Sequence, residues 1–353
     1  MECIRVNGET AERVLGDFVC AGSVLIKSQG IGVLQSMPGN RIADLKIMDT
    51  GYLETEMAHK AGAGFVTASA LAEENTIKKS LECSADLGIE IIGDLLHKEA
   101  RRNRLAEIGV KNFISGNKLI LGEEEMRIEE IHRPVEGSVR TKAVEVKEPK
   151  LQIALDLLST EKAVSIADRA LAGGVDWIEA GTPLIKQEGM RAVRVLRNEF
   201  RDAIIVADMK TLERGRDETI LACKNGADIV GICGSASDEV IRDAVSTGAV
   251  IMADLIAAED PADRARELEK LGVSMLEFHL AIDAQGGEYP FEKLEKVCKT
   301  VSIPVGCAGG MNAEKVGRAL DCGASFIVAG GSLTKAEDPE KVTKGIKSAM
   351  VKN

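Results

Sequence analysis

Aromatic side chains are scarce: Trp, Tyr and Phe together make up 3% of the 353 residues, and there is a single tryptophan. A core without them is built from Ala, Val, Ile and Leu, a composition that suits helices packed on buried parallel strands. The eight cysteines never form a C-x-x-C pair and mostly sit in apolar runs such as "DFVCAG", "IVGICG" and "IPVGCAGG". That argues against zinc and disulfide frameworks and reads as small core residues in a reducing compartment. Positive charge is also short, with 45 Lys and Arg against 56 Asp and Glu and a net charge of −11. No basic stripe offsets this, so a nucleic-acid partner is not expected. No apolar run approaches the roughly 18 residues of a membrane span, and no signal-peptide pattern is found. A soluble, cytoplasmic protein is the expectation.

What the chain does have is regularity. From Leu151 onward, short apolar runs alternate with polar-faced helical stretches: "LQIALDL", "VDWIEAGTP", "AIIVADMK", "ADIVGICG", "AVIMADLI", "SMLEFHLAID", "SIPVGCAGG" and "SFIVAGGS". The segments between them, such as "STEKAVSIADRALAGG", carry apolar residues at helical spacing and end in Gly. This is the pattern of an α/β protein, a (β/α)8 TIM barrel over residues 151–353.

The first part of the chain repeats the same unit. "FVCAGSVLIKSQG" lies over "WIEAGTPLIKQEG" without a gap, "ADLKIMDTG" over "ADMKTLERG", and "IIGDLL" over "IMADLI". Residues 1–135 are therefore read as a diverged, partial barrel repeat and 136–150 as a polar linker. The recognisable copy stops at its sixth strand. Either the first barrel is truncated, or residues 118–150 complete it in an unrecognisable form.

In a barrel the chemistry lies at the C-terminal ends of the strands. Those positions in the second copy hold Asp156, Glu179, Asp208 with Lys210, His279 with Asp283, then Gly309-Gly310 and Gly330-Gly331-Ser332. A lone His at a strand end is more often a structural hydrogen-bonder, and a lone Asp is often a helix cap. Their coincidence at matching ends is the argument. The late glycine pairs suit a phosphate seat of backbone N–H groups. Glu179 and Asp208 offer hard oxygen ligands suited to Mg²⁺. The alternative for that pair is a solvated rim or an ion pair with Lys210.

The phrases "LQIALDL", "WIEAGTPLIKQEGM", "IIVADMKT", "HLAIDAQ" and "VAGGSLTKAEDP" closely resemble the 3-hexulose-6-phosphate synthases of the orotidine-5′-phosphate decarboxylase suprafamily. The resemblance covers 151–353 and, more faintly, about 9–116. It implies a lyase that joins formaldehyde to D-ribulose 5-phosphate, reversibly, with Mg²⁺ as cofactor. It further implies that Glu179 and Asp208 hold the metal, Lys210 stabilises an enediolate, His279 moves the proton, and the glycine loops hold the sugar phosphate. The nearest enzymatic rival is a 3-keto-L-gulonate-6-phosphate decarboxylase; a non-catalytic scaffold is the rival of a different class.

In this suprafamily the last Asp of D-x-K-x-x-D serves the partner's site. The second copy has Glu213-Arg214 there, whereas the first keeps Asp44, Lys46 and Asp49. In turn Glu179 lies over Cys20 and His279 over Gly116. The expectation is an intrachain pseudo-dimer with one working site completed by Asp49. A homo-oligomer in which Glu213 serves another chain is the alternative.

Overall fold

The computed structural model describes residues 2–8, 16–139, 141–281, 283 and 288–351. The chain divides into two units, Met1–Val135 with Lys186–Gly189, and Glu136–Ile185 with Met190–Asn353. Each contains a closed eight-stranded barrel.

In the second unit the strands are β9 (Lys150–Leu155), β10 (Trp177–Ala180), β11 (Ile204–Thr211), β12 (Ile229–Cys233), β13 (Val250–Asp254), β14 (Met275–His279), β15 (Val305–Ala308) and β16 (Phe326–Ala329). Every neighbouring pair is parallel, and β16 returns to β9. Helices such as Thr160–Ala172 and Pro261–Leu271 connect them. The latter has Asp260 as its N-cap, Pro261 in the first turn and left-handed Gly272 behind it, the sequence order that starts and stops a helix.

The barrel interior is filled by Trp177, Val206, Ile229, Met252, Met275, Phe326 and Val328. Trp177 stacks at a tilt on Phe326 with ring centroids 5.3 Å apart. A Cβ at residue 306 would stand 2.0 Å from Phe326, so Gly306 is the residue that lets this ring occupy the interior. The described residues of 136–149 form no helix or strand, yet they are more than a polar connection. Val144 and Val146 pack against the interior cluster. Lys142 donates through its backbone N–H to Asp228 Oδ1 at 3.1 Å, and through Nζ to the carbonyls of Arg201 and Ala203 at 2.6 and 3.1 Å.

The first unit contains β1 (Cys3–Asn7), β2 (Phe18–Ala21), β3 (Asn40–Ile47), β4 (Phe65–Ser69), β5 (Glu90–Asp94), β6 (Asn112–Ser115), β7 (Lys118–Leu121) and β8 (Glu124–His132). Truncation is thus overturned: residues 118–132 complete the ring. They do so without β/α units. β6–β7 and β7–β8 are antiparallel, and β8 then closes in parallel on β1. Ser115 pairs with Lys118 and Leu121 with Glu124, leaving two-residue turns Gly116-Asn117 and Gly122-Glu123. Their glycines have φ of 59° and 60°, the left-handed backbone that tight hairpins demand. Along β8, Met126 and Ile128 are buried while Glu125, Arg127 and Glu129 are exposed, the alternation of a strand with one wet face.

All eight cysteines are free, and among the described residues no helix is long and apolar enough to cross a membrane.

Candidate active site

β11 breaks its own ladder. Pairing passes from Asp208 opposite Gly231 directly to Thr211 opposite Ile232, so Met209 and Lys210 bulge. Lys210 has φ 45°, a conformation that costs a non-glycine residue of order 1–3 kcal/mol and persists where the surroundings impose it. The surroundings here are two aspartates. Lys210 Nζ lies 2.7 Å from Asp208 Oδ2 and 2.7 Å from Asp254 Oδ2. Burial works against the ammonium, but the carboxylates of Asp208, Asp254 and Glu277 outweigh it and hold Lys210 well above the usual lysine range.

Asp254, at the end of β13, is shared. Its Oδ2 also meets His279 Nδ1 at 2.9 Å, and its Oδ1 accepts from the Ile256 N–H at 2.8 Å. Burial would raise its pKa, yet Lys210 and His279 together depress it below the ordinary carboxylate range. Glu277, also buried, comes within 3.6 Å of His279 Nδ1. Burial, with the charge of Asp254, pushes it up to about 8. Lysine and histidine are thus tied to one carboxylate oxygen.

Glu179 is the penultimate residue of β10 and is buried. Burial first, then the charges of Asp208, Glu277 and Asp156, raise its pKa well above the carboxylate norm. Its Oε2 accepts from Gln152 Nε2 at 2.5 Å. The second lone pair of Asp208 Oδ2 is taken by the Thr182 hydroxyl at 2.8 Å. Asp156 follows β9 and lies over Gly181, where a Cβ would come within 2.2 Å of Asp156 Oδ1. The glycine pairs follow β15 and β16. Gly309 has φ 99°, and a Cβ there would stand 2.4 Å from the Leu280 carbonyl, so this loop approaches the one after β14 only as glycine. Ser332 donates to the Met311 carbonyl at 2.9 Å, and Lys315 Nζ to the Gly310 carbonyl at 3.1 Å.

The structure therefore brings Lys210 and His279 together through Asp254, and the charges of Asp156, Asp208 and Glu277 onto Glu179. Asp283 lies beyond β14, half-buried, and Gln285 of the "DAQ" phrase falls outside the described residues. Asp49 and Glu213 belong to different units. The Asp49 carbonyl accepts from the Thr76 hydroxyl at 3.1 Å within the first, and Glu213 is half-buried after β11. Sequence reasoning missed Gln152, Thr182, Asp254 and Glu277. Gln152, Asp254 and Glu277 are single polar letters inside apolar strands, and the one available signal was their inward parity.

The first barrel repeats half of this arrangement. Lys46, at φ 46°, lies 2.6 Å from Asp44 Oδ2 and 3.2 Å from Asp94 Oδ2. Thr67 donates to Asp44 Oδ1 at 2.9 Å, and Arg5 Nε lies 3.9 Å from Asp44 Oδ2. The rest has gone. Strand register puts Cys20 where Glu179 stands, Ile114 where Glu277 stands and Asn7 where Asp156 stands. Gly116, over His279 in sequence, is the turn of the closing hairpin. Cys20 is wholly buried, and burial pushes its thiol far above the normal range.

The profile described as the orotidine 5'-phosphate decarboxylase / HUMPS family matches residues 149–346, more than half of the chain. A 3-hexulose-6-phosphate synthase of Mycobacterium gastri is 37% identical over 206 residues, covering 57% of this chain and 99% of that protein. A crystal structure of 3-hexulose-6-phosphate synthase, also 37% identical, superposes with a TM-score of 0.54 over 57% of this chain and 99% of its own. The structure of KGPDC from Streptococcus mutans in complex with D-R5P is 27% identical with a TM-score of 0.55, over 59% of this chain and 99% of its own.

Proposed function

The chain belongs to the orotidine 5'-phosphate decarboxylase / HUMPS family, and we propose that its C-terminal barrel joins formaldehyde to D-ribulose 5-phosphate, reversibly, as a Mg²⁺-dependent aldehyde-lyase. The observation that carries the reading is the single oxygen of Asp254 that holds both Lys210 and His279. A fixed ammonium and a proton carrier stand side by side.

The residues fit a divalent cation. Asp156, Glu179, Asp208, Asp254 and Glu277 are five carboxyl groups, and the counter-charges they influence are Lys210 and His279. Glu179 is driven toward its neutral form by that excess of negative neighbours. Glu179 and Asp208 would hold the ion. When bound, it would supply Lewis-acid stabilisation to oxygens that gain negative charge in the reaction.

The protein's own groups account for the other steps. With Nδ1 committed to Asp254, His279 keeps Nε2 as its working nitrogen. The imidazole takes the proton from the hydroxymethyl carbon beside the ketone, and the C–H electron pair becomes the enediolate. The Lys210 ammonium, already placed, stabilises the charge on the enediolate oxygens without reorganising. The enediolate carbon attacks the carbonyl carbon of formaldehyde, one C–C bond forms as the C=O π pair moves onto oxygen, and the new alkoxide takes the proton back from the His279 imidazolium. Gly309, Gly310, Gly330, Gly331 and Ser332 would seat the phosphate away from the reacting carbons, where binding energy orients the substrate.

The test is release of formaldehyde from 3-hexulose 6-phosphate with Mg²⁺ and with EDTA. Turnover that needs Mg²⁺ and disappears in Glu179→Gln, but survives Cys20→Ala in the first barrel, is the expected result. Carbon dioxide released from 3-keto-L-gulonate 6-phosphate instead would make the protein a decarboxylase. No turnover, and no rise in melting temperature with Mg²⁺ and ribulose 5-phosphate, would leave a scaffold.

A further inference from the structure

We infer that Gln152 is the positioning residue for Glu179: its amide sets the direction in which that buried carboxylate points. The inference rests on the reading of Glu179 as a ligand of the divalent cation. Gln152 lies on β9 opposite Trp177, and Glu179 follows Trp177 by two positions on the same face of β10. The glutamine is fully buried, and its Nε2 donates to Glu179 Oε2 at 2.5 Å.

The other end of the same amide is unsatisfied. Gln152 Oε1 is buried with no hydrogen-bond partner, so it carries the desolvation penalty of a polar atom with nothing to offset it. An apolar side chain of equal length would avoid that cost. Glutamine here is therefore poor design for a core position and sensible design for a donor. A donor without charge is also what the place requires. Glu179 faces the negative charges of Asp208, Glu277 and Asp156, so an unheld carboxylate would turn from them. A lysine or arginine would hold it as well, but would cancel the negative charge that draws a cation.

The first barrel serves as an internal control. There Cys3 stands opposite Phe18 as Gln152 stands opposite Trp177, and Cys20 takes the place of Glu179. Where the carboxylate is gone, the amide is gone too. The Asp-Lys-Asp bridge persists in both barrels. Gln152 thus segregates with Glu179 and not with the inherited scaffold.

The experiment is a Mg²⁺ titration of the full chain read by the emission of Trp177, the one tryptophan. Gln152→Met keeps the length and removes the donor. It should weaken Mg²⁺ binding by about 10- to 100-fold, the usual loss when the partner of a ligand is removed, while the metal-free melting temperature holds or rises. In a Glu179→Gln background the same change should add nothing, because no carboxylate remains to be held. Wild-type affinity in Gln152→Met, or additive effects of the two substitutions, would overturn the inference. If the unaltered protein ignores Mg²⁺, the metal reading fails separately. The same double-mutant cycle on metal-free melting temperatures then decides the positioning role: coupled effects keep it and additive ones end it.

Discussion

Lys46 and Lys210 adopt the same left-handed backbone, φ 46° and 45°, and each bridges two aspartates at the end of a bulged strand. The strain was kept in a barrel that lost the glutamate and histidine around it. Structure alone can therefore sustain it, since removing the lysine would leave two buried carboxylates facing each other. Lys46→Met should destabilise the first barrel by about 3–5 kcal/mol. Adding Asp44→Asn should recover much of that. Urea unfolding followed by circular dichroism measures both, and a loss below about 1 kcal/mol would show that the bridge is not what imposes the bulge.

His279→Asn should slow exchange of the substrate's α-proton with solvent by about 10²- to 10⁴-fold, read by NMR in deuterated buffer. Phosphate affinity should change little, because the glycine loops lie on other strands. Exchange at the native rate would transfer the base's role to another group.

Glu277 gives a pH dependence with a definite sign. Its folded-state pKa is raised to about 8, above its value in the unfolded chain. Between roughly pH 4.5 and 8 the folded state holds a proton that the unfolded state has released, so stability falls as pH rises through this window. In EDTA, Glu277→Gln should remove that slope. The variant should gain melting temperature over the parent at pH 8 and lose the advantage near pH 4. Parallel melting curves at both pH values would contradict it.

Val144 and Val146 lie in a stretch that reads as a linker, yet they cap the interior of the second barrel. Val144→Asp should cost about 1–3 kcal/mol through burial of an unpaired charge, whereas Glu145→Ala, on the exposed side, should stay within about 0.5 kcal/mol. Equal effects from the two would mean that the segment does not cover the core.

The second barrel was legible because each strand is an apolar run and each helix carries its own stop and start signals. The first was legible only as far as it resembles the second. β7 and β8 escaped because a hairpin shares no period with a β/α unit, and "EEMRIEEIH" reads as charged surface until Met126 and Ile128 are seen to alternate inward. Asp208, Lys210 and His279 stand out in sequence because they gather charge toward the C-terminal ends of apolar strands. Asp254 and Gln152 do not, since only the closing of the ring shows which neighbour an inward side chain meets. Gly116 misled for a related reason: alignment read it as a histidine replaced, while its backbone shows a residue required to turn the chain.

The two-residue turns at Gly116 and Gly122 also bear on how fast the rings form. A parallel neighbour must wait for a crossover of a dozen or more residues to be ordered, whereas a hairpin zips in about 1–10 μs from contacts that are local in the chain. Strands β6, β7 and β8 can therefore assemble as one meander before β1 arrives, and the first ring needs one distant pairing, β8 on β1, to shut. The second ring has no such shortcut, because every one of its pairings is parallel. The first ring therefore has six parallel pairings to make and the second eight, so the closure of the first relies more on contacts that are local in the chain.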